Sequence, residues 1–262
     1  MRAGEEEQHV TCYNGWGVLL FLAGCVRHVE SGLAPEVVAA IAAGDAAWAR
    51  RDEPGQLEAA VAAWQSGLGV PPREPELLWR LSRAAWSVGV VDPGIGGPFE
   101  QGRDLGWRCL LGFDGFSSTL ELGAYRVEPA AVKTLPDAAA PCVAWLLVNG
   151  VAQYERRGHG AALLLEPLRT LLPVVEAHPE VAPGFLPWVQ ARLGEAQDPP
   201  FSDSDLRALY ERAVAEAPDV ALFRRDYAAT FPDARAHAWE GWNPPTTGGW
   251  ARENAAWTPE GR

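Results

Sequence analysis

The sequence has no apolar run long enough to cross a bilayer. The stretch from Val18 to Gly24 falls far short of the roughly 20 residues that a membrane helix needs. It also lacks an excess of positive charge. With 22 Lys and Arg against 34 Asp and Glu, the formal net charge is -12. No basic stripe is present to follow a phosphate backbone, so nucleic acid is excluded as a partner. Catalytic signatures are missing as well: there is no G-x-S-x-G, no Walker loop and no H-E-x-x-H. "GIGGP" at 94–98 contains a G-x-G but follows no strand pattern, and the five histidines are scattered. Cysteine is scarce, and none of the four cysteines stands in a C-x-x-C or Cys/His cluster, so no zinc site is suggested. An enzyme, a cofactor and a metal are therefore not expected. Segments rich in β-branched residues with alternating polarity are absent too, which argues against a sheet.

What the N-terminus does contain is a short apolar run ending in Leu22-Ala23-Gly24-Cys25. This resembles the lipobox of bacterial lipoproteins, in which an aliphatic and two small residues precede a cysteine that is acylated. Small residues before the cut suit a narrow peptidase cleft, and acyl chains then tether the mature chain at about 0.8 kcal/mol per buried methylene. The expected organisation is a leader over 1–24, lipidation at Cys25, a linker over 25–34 and one helical domain over 35–262. The competing reading is a plain buried thiol, because the segment before the run carries Glu5, Glu6 and Glu7 against a single Arg2, and leaders favour a positive start. Cys109 and Cys142 remain as an even pair, either a disulfide in an oxidising compartment or two buried free thiols.

From Pro35 onward the sequence reads as amphipathic helices divided by Pro and Gly, so the fold class is all-α. The stretch 112–138 is the least regular and reads as a loop with one or two short helices. A repeat emerges on inspection. Ala60, Trp64, Gly67 and Pro72 are spaced like Leu206, Tyr210, Ala213 and Pro218. This is the second-helix pattern of a tetratricopeptide repeat: a small residue for close approach, an aromatic for the groove, a second small residue and a terminating proline. The expectation is an α-α superhelix of about four helical hairpins, with an irregular mid-chain insertion and a Trp-rich C-terminal cap.

The order of these elements resembles the TatT-type T-component lipoproteins of TRAP transporters, which carry cryptic tetratricopeptide repeats. A lipobox precedes "AWARRDEPGQLEAAVAAWQSGL" and "PELLWRLSRAAWSVG". Trp145 and Asn149 match the family's Trp-x-x-x-Asn segment, and "RDYAATF" its late helix. "ARENAAW" is similar to a Pro-Glu-Asn-Ala element, with arginine in place of proline. The resemblance implies a periplasmic, membrane-anchored accessory protein that binds or scaffolds the substrate-binding protein of a tripartite ATP-independent transporter. It also implies a symmetric homo-oligomer around a hydrophobic passage, and so the handing on of a hydrophobic ligand. Val26 after the modified cysteine is not the aspartate that retains lipoproteins at the inner membrane, which favours the outer one. The alternative is a general tetratricopeptide scaffold for cell-envelope contacts, without a ligand.

Two groups of residues are singled out. Trp145 and Asn149 share one face of an apolar helix that also carries Tyr154. They either line a ligand cavity or, in the case of Asn149, fix helix packing. Trp239, Trp242, Trp250 and Trp257 crowd the tail, and either close the open end of the solenoid or line a cleft.

Overall fold

The computed structural model describes residues 33–69, 74–92, 97–124, 126–157, 164–243 and 250–255. The lipobox with Cys25, the repeat residue Pro72, most of "GIGGP", His159 and Trp257 lie outside the described residues. The domain that begins at Ala34 is all-α, and no strand occurs among the described residues.

The helices run in the order α1 (Pro35–Trp48), α2 (Gln56–Ser66), α3 (Pro75–Val91), α4 (Pro98–Leu111), α5 (Asp114–Leu122), α6 (Pro129–Val132) and α7 (Ala140–Arg157). They continue as α8 (Leu165–Glu176), α9 (Phe185–Glu195), α10 (Asp203–Glu216), α11 (Ala221–Thr230), α12 (Arg235–Ala238) and α13 (Ala251–Ala255). Local chemistry sets many of the starts. Pro35, Pro75, Pro98 and Pro129 occupy first-turn positions, where a missing N–H costs nothing. Ser202 caps α10 by accepting from the Asp205 N–H, and Asp203 and Asp205 fill the acidic first turn. Before α9, Gly184 takes φ 74°, and a side chain there would press within 2.8 Å of the Ala213 carbonyl oxygen, so only glycine fits.

Neighbours in sequence are neighbours in space. α1 lies against α2 and α3 against α4, α7 packs on α4 and α8, and α9 packs on α10. The helices α1, α3, α7 and α9 also touch in series. The repeat residues sit where the packing needs them: Ala60, Trp64, Leu206, Tyr210 and Ala213 are all buried. Trp64 fills the notch left by Gly44 on α1, where any Cβ would collide with the indole. The 112–138 region forms α5, α6 and a 3-10 turn, Asp137–Ala139, that leads into α7.

α7 is the central helix. Its apolar residues run all the way round, and Ala140 and every residue from Cys142 to Gln153 are buried. Cys142 near its start is disulfide-bonded to Cys109 on α4, with Cα atoms 5.7 Å apart and 33 residues of separation. The bridge encloses the whole α5–α6 insertion. Chain-entropy arithmetic for a loop of this length gives about 3–4 kcal/mol. Replacing both cysteines by alanine should lower the stability measured by urea unfolding by that amount.

Candidate functional site

Trp145 and Asn149 are one turn apart on α7 and face α3. Asn149 is fully buried. Its Nδ2 donates to the Ser82 carbonyl at 3.0 Å, the Ser82 hydroxyl at 3.2 Å and the Trp145 carbonyl at 2.8 Å. Ser82 Oγ in turn donates to the Gly102 carbonyl at 2.7 Å, so one polar knot ties α7, α3 and α4 together. The Asn149 Oδ1 atom has no hydrogen-bond partner and lies against Gly102, where an added Cβ would approach it to 2.2 Å. Tyr154 does not join this pair: five positions on, it points roughly 140° further around the helix and is half-buried.

A different side of α7, the one toward α8 and α9, borders a small hollow lined by Ala144, Leu147, Val148, Phe185 and Val189, about the size of one water at 10 Å³. Trp145 is 5% exposed and packs against Trp86 at 6.0 Å and Phe185 at 5.3 Å. Phe185 is the hub of an aromatic array. It meets Trp86 and Phe223 edge-on at 5.0 Å and lies 5.7 Å from Trp250. These are the surroundings of the packing alternative for Asn149. The larger hollow, 580 Å³, lies elsewhere, between α4, the α5–α6 insertion and α8. Trp107, Leu111, Leu120 and Pro167 line it, with Arg126 beside them.

The tail behaves in two ways. Trp239 and Trp242 pair edge-on at 5.8 Å beside α11, and Arg224 stacks on Trp242, as expected of a cap on the last helices. Trp250 instead lies against Trp86 of α3 and Phe185 of α9. Arg51, just past α1, lies 4.4 Å from the Trp48 ring and 4.7 Å from that of Trp250, and so bridges the two indoles. Glu253 is 0% exposed, and its Oε1 accepts from Arg51 Nε at 3.2 Å and from the Ser87 hydroxyl. Its Oε2 has no hydrogen-bond partner. Asn254 is 1% exposed: its Oδ1 accepts from the Ala221 N–H at 2.8 Å and its Nδ2 donates to the Asp219 carbonyl at 2.6 Å, which closes the start of α11.

A second guanidinium lies next to this contact. Arg83 sits 4.2 Å from the Trp48 ring, with its Nε unpartnered. Burial pushes its pKa down to about 9; Asp45 opposes the shift, and Arg51 and Arg80 add to it. Burial also lowers that of Arg51, against the pull of Glu253. Asp45 itself is engaged by Arg80 through two bonds of 2.8 and 3.0 Å. A third polar group, around Arg192, links α7, α9 and α10. Arg192 bonds Glu155, Glu195 at 2.6 Å and the Tyr210 hydroxyl at 3.3 Å. One guanidinium meets two carboxylates, and burial raises the pKa of Glu155 against the pull of Arg192.

No group of three His, Cys, Asp or Glu side chains among the described residues is placed to hold a metal. Sequence reasoning did not single out Arg51, Arg83, Ser87, Glu253 or Asn254 as site residues. The "ARENAAW" element was the available signal, since glutamate and asparagine side by side in an otherwise apolar turn need buried partners. No protein-family model and no curated protein matches the sequence.

Proposed function

We propose that this is a lipid-anchored, tetratricopeptide-like accessory protein of a TRAP-type transporter, which scaffolds the substrate-binding protein on the periplasmic side of a bacterial membrane, the outer one by preference. The observation that carries the scaffolding role is the serial contact of α1, α3, α7 and α9, with Trp145 and Asn149 of α7 buried. Rows of stacked hairpins offer broad, rigid surfaces to other proteins. The Cys109–Cys142 disulfide supports an oxidising compartment, and with it the lipoprotein reading of Cys25. The resemblance in element order supplies the transporter.

The burial of Trp145 against Trp86 and Phe185, and of Asn149 against Ser82, favours scaffolding over conduction of a ligand through that part of the core. It equally supports the second reading, a general envelope scaffold with no ligand. A transported hydrophobic molecule would need the hollow beside Trp107 and Leu120 instead. The two readings separate in one experiment: cells fed labelled palmitate, followed by pull-down from envelope extracts with mass spectrometry. The expected result is label on the wild-type chain and none on Cys25→Ala, with a solute-binding protein of the TRAP kind enriched in the bound fraction. Label without that partner would leave the general scaffold standing. Absence of label would overturn the anchored reading.

A further inference from the structure

The segment 250–255 is held in a way that short surface turns are not. Its single helical turn is too short to be stable alone, so the groove imposes its form. Three of its side chains enter specific receptors: an aromatic slot for Trp250, the Arg51 and Ser87 donors for Glu253, and the start of α11 for Asn254. Trp250 and Glu253 are three residues apart, so one turn presents both to the same side. This combination of pocketed aromatic anchor, paired charge and backbone clamp is how folded domains capture short peptides.

We infer that the groove formed by the end of α1, the flank of α3 and the start of α11 is a peptide-recognition site. Its ligand is a segment bearing an aromatic side chain three residues before a glutamate–asparagine pair, and residues 250–255 are the resident occupant that a partner protein's segment displaces. Vacating the groove would leave the Arg51 guanidinium, the Ser87 hydroxyl and the Ala221 N–H without their partners. Buried donors left empty are costly, so only a ligand restoring a carboxylate and an amide at the same positions can take over. The resident's own fit is incomplete, since the buried Oε2 of Glu253 has no hydrogen-bond partner, and the Arg51 guanidinium that meets Oε1 lies against the Trp48 and Trp250 rings. The inference gives a partner chemistry to the scaffolding reading and rests on it only for where that partner is found.

The test uses the purified full chain and a fluorescein-labelled synthetic peptide of residues 249–257, followed by anisotropy. The variant Trp250→Ala/Glu253→Gln weakens the resident segment, and should bind the peptide at least about tenfold more tightly than wild type does. Glutamine in place of the peptide's glutamate should cost at least about tenfold, and Arg51→Met added to the variant should abolish binding. Equal affinity of wild type and variant, or indifference to the glutamine peptide, would overturn the proposal. Should the variant fail to fold, hydrogen exchange of wild type with excess unlabelled peptide decides. Faster exchange of the 250–255 amides supports displacement, and unchanged protection refutes it. Failure here leaves the palmitate and pull-down results intact, because this measurement involves neither anchor nor transporter.

Discussion

Replacing Asn149 with leucine lowers the thermal unfolding midpoint by roughly 6–12 °C, which corresponds to about 3 kcal/mol for a chain of this size. Two effects add. The Asn149 amide makes its inter-helix bonds to the Ser82 carbonyl and hydroxyl, each worth about 1 kcal/mol net. The flat carboxamide also lies against Gly102, and a tetrahedral leucine tip there must push α4 away, an overpacking cost of about 1–3 kcal/mol. Relief of the unpartnered Oδ1 offsets part of this. Differential scanning calorimetry checks the result. A ligand-lining residue would behave oppositely, with an unchanged midpoint and an altered set of co-purified small molecules. Gly102→Ala should be as damaging as Asn149→Leu, because it creates the same collision from the other side.

Arg51→Met removes the cation that meets a wholly buried carboxylate. Stripping one partner from a buried pair costs about 3–5 kcal/mol, since Glu253 must then shed its charge or leave the interior. The segment is short and held mainly by side chains, so it undocks before the helices α1–α11 unfold. Amide exchange at 250–255 should therefore quicken by about 100- to 1000-fold, while the global midpoint falls by only a few degrees. Glu253→Gln alone should give a similar loss. The pair Arg51→Met/Glu253→Leu should lose less than the two single changes summed, because apolar side chains then fill the space without stranding a charge. Unaltered exchange in Arg51→Met would mean that the tail is held by Trp250 and Asn254 alone.

Helix identity was legible because its causes are local. The proline starts of α1, α3 and α4, the Ser202 cap and the three- and four-residue apolar steps depend on neighbours within a turn or two. The paired offsets at Ala60–Gly67 and Leu206–Ala213 marked packing faces for the same reason: an apolar residue, an aromatic four on and a small residue three further on share one helix face whatever the partner. The irregularity of 112–138 was equally visible in its composition. Asn149 was legible as a polar residue in a buried helix, but its neighbours were not: Ser82 and Gly102 are 67 and 47 positions away in sequence and named by nothing near Asn149 itself.

The tail shows the boundary most clearly. Its wealth of tryptophan predicted burial, and placement over the last helices is the shortest route to it; Trp239 and Trp242 take that route. Trp250 and Glu253 do not: Glu253 pairs with buried Arg51, 202 residues earlier. By itself the sequence determined the all-α class and the approximate helix positions, properties of short-range geometry and composition. Only the tertiary structure decided which buried polar groups pair, that Trp145 packs against Trp86 and Phe185, and that the C-terminal turn lies in a groove between α1, α3 and α11. Charge pairing and cavity volume depend on which distant surfaces meet, and no local pattern of residues carries that information.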